Sequence, residues 1–124
     1  MRGQRRYSQG PVRERWTRED AAPRLADEIA ELKQLILEVE ESMGDSIIDA
    51  ARYVRHIPVQ QAPAHFEIPC TDSKCDGGGH DFTQEVMEAL RAGETEFEGE
   101  SACRGQSGSE PCRRVLRFTA RATY

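Results

Sequence analysis

The longest regular pattern lies in residues 23–57, PRLADEIAELKQLILEVEESMGDSIIDAARYVRHI, where Leu25, Ile29, Leu32, Ile36, Val39 and Met43 are spaced 4, 3, 4, 3, 4. That is a heptad seam and predicts a long helix. Pro23 suits its first turn, with Asp20 just upstream, and Pro58 stops it. With Ile29, Ile36 and Met43 at a, and Leu25, Leu32 and Val39 at d, the seam predicts a parallel homodimer, with Glu28 at g and Lys33 at e able to pair between chains. Leu35 and Leu37 lie off the seam and widen the apolar surface, so packing of the helix within its own chain is the competing expectation. Gly44 marks a break or kink, after which Asp45 could cap a second helix over 46–56.

Beyond a short linker at 58–63 the period changes. HFEIPC (65–70), ETEFEGESAC (94–103) and CRRVLRFTARATY (112–124) alternate apolar and polar positions and predict strands. DFTQEVMEALRAG (81–93) predicts a helix with Val86, Met87 and Leu90 on its apolar side and Gly93 after its end. Pairing the last two strands antiparallel with Cys103 opposite Cys112 places Phe97 opposite Phe118, Glu98 opposite Arg117 and Glu94 opposite Arg121. One register thus matches an aromatic pair and two charge pairs. The expected fold class is α+β: a long N-terminal, coiled-coil-like helix followed by a small β-α-β-β domain over 64–124.

Composition qualifies this reading at the N-terminus. Hydrophobic residues make up 37% of the 124 and charged residues 31%, a lean core for this length. Charge is uneven: residues 1–18 carry a net +5, 19–57 a net −6 and 58–124 a net −4. Residues 1–22 read as a disordered basic arm. Arg2, Arg5, Arg6, Arg13 and Arg15 are its candidate nucleic-acid contacts, with Tyr7 and Trp16 available to stack on bases. A solvated tail, or one folded back on the acidic segment behind it, is the plainer expectation. No apolar run reaches the roughly 18 residues of a membrane span, so no membrane partner is expected. The N-terminus has no apolar leader, and the expected compartment is the cytosol, where clustered cysteines more often bind metal than form disulfides.

Four cysteines fall into two pairs, Cys70 with Cys75 and Cys103 with Cys112, each joined by a loop rich in Gly, Ser or Asp. Zinc takes four such ligands from two loops, so these residues are the candidate ligands of one structural ion per chain. A disulfide or redox role, and unligated buried thiols, are the alternatives. His80, five residues past Cys75, is a possible substitute ligand; otherwise it belongs to the entry of the following helix. Gly77, Gly78 and Gly79 lack the lysine of a phosphate-binding loop and are expected to serve tight turning beside the metal. A closed four-ligand site has no position for a reacting water, so no enzyme activity and no catalytic residue are expected. Residues 64–124 resemble a zinc ribbon in the broad sense, two cysteine-bearing loops at strand ends, with a helix inserted between the pairs. The resemblance implies interaction with protein or nucleic acid. The expected function is a non-enzymatic, self-associating adaptor for an unknown protein partner. Nucleic-acid binding through the arm and zinc domain, and a thiol redox switch, are the alternatives.

Overall fold

The computed structural model describes residues 16–43, 46–71, 75–76 and 78–124. Helix α1 occupies 16–21. A single helical turn, α2 (Leu25–Glu28), leads into strands β1 (Gln34–Met43) and β2 (Ser46–Ile57). Short strands β3 (Glu67–Ile68), β4 (Cys75–Asp76) and β5 (His80–Asp81) precede α3 (Thr83–Arg91). Strands β6 (Glu96–Ala102), β7 (Gln106–Ser107), β8 (Glu110–Pro111) and β9 (Val115–Thr123) complete the chain. The main sheet is antiparallel with order β2-β1-β9-β6, so the C-terminal strand pairs with both the N-terminal hairpin and β6.

The architecture is α+β, and the long helix is replaced by a β-hairpin. The off-seam leucines explain why. Leu35, Leu37 and Val39 alternate along β1, all at most 2% exposed, and lie opposite Ala122, Ala120 and Phe118 of β9. The residues between them, Ile36, Glu38 and Glu40, face outward. The heptad residues Leu25, Ile29, Leu32 and Val39 are buried in the chain's own core, and Ile36 is half-buried on the opposite face of the strand. A dimer seam through residues 25–43 is therefore corrected to intramolecular packing. Met43 lies in β1, but its side chain is outside the described residues, as are Gly44 and Asp45. Helix propensity in this Glu- and Leu-rich stretch amounts to tenths of a kcal/mol per residue. Burying three large aliphatic side chains against β9 is worth about 1.5–3 kcal/mol each.

In 64–124 the predicted helix and the two long strands form, but the simple β-α-β-β sheet does not: the 65–70 segment keeps only β3, which pairs with β5 in a separate two-stranded sheet, β4, β7 and β8 make a third sheet, and β1 and β2 from residues 34–57 complete the main one. Phe82, at the entry to α3, stacks on Phe118 (centroids 4.9 Å apart), and Val86, Met87 and Leu90 join the same core. The β6–β9 register is offset by two residues from the predicted one: Gly99, not Phe97, lies opposite Phe118, and the charge pairs become Glu100 with Arg117 and Glu96 with Arg121. The physical reason is the Phe118 ring. A Cβ at residue 99 would lie 2.8 Å from it, so only glycine fits opposite, while Phe97 meets the same ring diagonally and edge-on at 6.4 Å. An offset of two preserves every face assignment, because side chains alternate with a period of two.

The last residues of the predicted disordered arm are structured. Arg18 of α1 donates from Nε to Glu67 Oε1 at 2.8 Å and pairs through its second nitrogen with the other oxygen. Arg2, Arg5, Arg6, Tyr7, Arg13 and Arg15 lie outside the described residues.

Candidate metal centre

Two loops carry the cysteines. Strands β3 and β5 pair as a hairpin, Glu67 with Asp81 and Ile68 with His80, and its connection holds Cys70 and Cys75. The connection from β6 to β9 holds Cys103 and Cys112 around the small β7–β8 hairpin. Strand β4 pairs with β7, Cys75 with Ser107 and Asp76 with Gln106, so the backbone of one loop is tied directly to the other.

The four Sγ atoms all lie within 4.8 Å of one another. Cys70 Sγ is 3.8 Å from Cys112 Sγ, and Cys75 Sγ is 3.6 Å from Cys103 Sγ. A regular tetrahedron with zinc–sulfur arms of about 2.3 Å has edges of about 3.8 Å. The close contacts thus have tetrahedral edge lengths and pair the cysteines across the two loops rather than within them. No disulfide joins any of them.

The glycines next to the sulfurs are there for want of space. A Cβ on Gly78 would come within 2.2 Å of Cys75 Sγ and 2.8 Å of Cys103 Sγ. One on Gly105 would come within 2.4 Å of Cys75 Sγ and 2.5 Å of Gly78 Cα. The bare backbone also supplies donors: the N–H groups of Gly79 and Gly105 each point at Cys103 Sγ, at 3.4 Å. Burial alone would raise the Cys103 thiol's pKa. The donors from Gly105 and Gly79 outweigh burial and hold it below the ordinary thiol value. Cys75 goes the other way, pushed up to about 12 by burial and by its contacts with Cys103 and Cys112. Four negative sulfurs this close repel, so full ionisation of the cluster calls for a cation at its centre. The donor set, the edge lengths and the glycine cradle fit zinc, with Cys70, Cys75, Cys103 and Cys112 as its ligands; the ion would neutralise the thiolates and tie the two loops together.

His80 is not part of this cluster. It is fully buried, with Nδ1 2.9 Å from the Ser101 carbonyl and Nε2 3.0 Å from Glu41 Oε2. Both ring nitrogens are engaged by these two oxygens. Glu41, 1% exposed, also accepts from the Thr71 backbone N–H at 3.1 Å, from the Thr71 hydroxyl and from Arg114 Nε. Burial disfavours its charged form, but the Thr71 and Arg114 hydrogen bonds and nearby His80 outweigh that and hold the carboxyl below its ordinary value. The network spans both loops: Thr71 follows Cys70, His80 closes the first loop, Ser101 precedes Cys103 by two and Arg114 follows Cys112 by two. Sequence reasoning missed Glu41, Thr71 and Arg114. The available signal was Glu41 itself, which continues the inward series Leu35, Leu37, Val39 once β1 is read as a strand.

A second group, His65, Glu67 and Asp81, also brings ligand-type atoms within 4.8 Å of one another. Its charge is already balanced: Glu67 is held by Arg18, His65 Nε2 lies 2.9 Å from Glu67 Oε1, and Arg104 is 3.6 Å from Glu67 Oε2. These contacts fasten α1 and the second cysteine loop to β3. Among the described residues no helix is long and apolar enough to cross a membrane. No family model, curated protein or solved structure matches the chain.

Proposed function

We propose that this protein is a non-catalytic zinc-binding module in which one structural ion locks two loops, presenting a rigid surface for interaction with other proteins in a reducing compartment. The observation that carries the reading is the cluster of four sulfurs within 4.8 Å of one another, with two contacts, 3.8 and 3.6 Å, at the edge length of a zinc–thiolate tetrahedron. Four thiolate ligands leave no open coordination position, which favours a structural ion over a catalytic one. The energetic role follows from the lean core. Binding of a structural zinc contributes on the order of 10 kcal/mol to folding, as large as the whole stability of an ordinary domain.

The test is metal content and thiol reactivity of protein purified without chelator or reductant. About one zinc per chain, with four thiols that react only after chelation, is the expected result. Absence of metal together with fewer than four reactive thiols would overturn the reading in favour of disulfide or redox chemistry.

A further inference from the structure

Strand β2 closes one side of the main sheet, and among the described residues no strand lies on its other side. Its pairing with β1 is irregular near the turn: Met43 pairs with Ser46 but Glu41 with Ala51. Beyond that, from Ala51 to Ile57, the strand is regular and contains neither glycine nor proline. A regular, unpaired edge presents open N–H and C=O groups to any matching strand.

The side chains on this segment are unusual for an edge that stays in water. Val54, on the outer face, is 55% exposed, one of two large hydrophobic residues so exposed among those described. On the inner face, Arg55 is exposed and has no carboxylate partner among the described residues, while Tyr53 beside it is only half-buried. The neighbouring Arg52 is different: its charge is met by Glu40 of β1 at 3.0 Å.

We propose that the occupant of this edge is a second copy of the chain, paired antiparallel through Ala51–Ile57 about a twofold axis at Val54. A twofold axis normal to the sheet keeps the faces of the two copies aligned, so opposed residues share a face. Val54 then meets Val54 of the second copy on the outer face, removing both exposed aliphatic groups from water. On the inner face Tyr53 of each copy lies opposite Arg55 of the other, twice over, a cation–π pair that satisfies both residues. Arg52 falls opposite His56, and Ala51 opposite Ile57. No two carboxylates and no two arginines are directly opposed. The result is one continuous eight-stranded sheet, with the metal-binding loops outside the new contact.

Sedimentation velocity over a range of protein concentrations, on the zinc-loaded full chain, tests this. The wild type is expected to sediment as a reversible dimer. Val54→Lys, which sets two ammonium groups on the axis, and Arg55→Glu, which removes the cation from both Tyr53 rings, are each expected to raise the dissociation constant at least about tenfold. Tyr53→Phe keeps the aromatic face and is expected to leave the dimer within about threefold of wild type. Both disruptive positions are exposed in the single chain, so zinc content and circular dichroism serve as the check that each variant folds. Amide exchange over residues 51–57 is expected to slow as concentration rises. A wild type that stays monomeric throughout, or a dimer indifferent to both disruptive variants, would overturn the proposal.

Discussion

Glu41→Ala is expected to be among the most damaging single changes outside the cysteines. Glu41 is 1% exposed and is the common acceptor for Thr71, His80 and Arg114. Its removal takes the Glu41 carboxylate from the buried guanidinium of Arg114, 9% exposed, and from His80 Nε2. Breaking a buried, hydrogen-bonded ion pair from one side costs about 3–5 kcal/mol. At this chain length 1 kcal/mol corresponds to about 4 °C in Tm, so the expected fall is roughly 12–20 °C, against a total stability of about 6–19 kcal/mol. Urea and thermal unfolding of the zinc-loaded protein, at fixed free zinc, would measure it. Adding Arg114→Met to Glu41→Ala is expected to recover part of the loss, because the buried cation that faced Glu41 leaves with the arginine, giving a coupling of at least about 1.5 kcal/mol. The pH dependence has a definite sign. The Glu41 carboxyl is held below its ordinary value of 4.5 in the folded chain, so its stabilising contribution is present above the unfolded-state value and is lost as pH falls through the folded one. Glu41→Gln is therefore expected to flatten the acid limb of the stability curve below about pH 4.5. Variants Glu41→Ala and Glu41→Gln that both lie within about 1 kcal/mol of wild type at neutral pH would refute the reasoning, since a network that holds the two loops cannot be dispensable.

Leu37→Ala is expected to cost about 2–5 kcal/mol and Ile36→Ala less than half of that, measured by urea unfolding; a heptad helix would reverse the order. Gly78→Ala places a methyl 2.2 Å from Cys75 Sγ and is expected to weaken zinc binding at least about tenfold in a chelator competition, whereas Gly93→Ala, at φ +74° with open space around it, should cost only about 1 kcal/mol of stability and leave zinc affinity unchanged. Gly99→Val drives a side chain into the Phe118 ring, and a loss of about 1–3 kcal/mol in thermal unfolding is expected. His80→Asn is expected to destabilise the fold while retaining about one zinc per chain, read by metal analysis; loss of metal from an otherwise folded variant would return His80 to the ligand set.

Much of the C-terminal half is legible in the order of residues alone, and for local reasons. Alternation in 94–103 and 112–124 survives any even shift of register, so the faces of β6 and β9, and the inward side of Phe97 and Phe118, do not depend on the exact pairing. Cysteine chemistry is equally local: two thiol pairs on loops rich in Gly, Ser or Asp point to a soft tetrahedral cation whatever the fold around them. The helix of 83–91 rests on its own period and on Gly93.

What the sequence could not decide was anything settled by a distant partner. Leu25, Ile29, Leu32, Ile36 and Val39 satisfy a heptad, while Leu35, Leu37, Val39 and Glu41 satisfy a strand, and the two patterns overlap in the same residues. Strand pairing wins because β9, far along the chain, offers Ala120 and Ala122 as the flat surface on which Leu37 and Leu35 pack. The two-residue offset of β6 was likewise decided by the volume of one ring over one glycine. His80 illustrates the same limit at the site: its spacing from Cys75 allows ligation, and only the inward arrival of Glu41 on β1 gives its nitrogens another partner. Periodicity and donor chemistry are properties of neighbours in sequence. Register, burial and hydrogen-bond satisfaction depend on neighbours in space, and a strand acquires those only when the whole sheet forms.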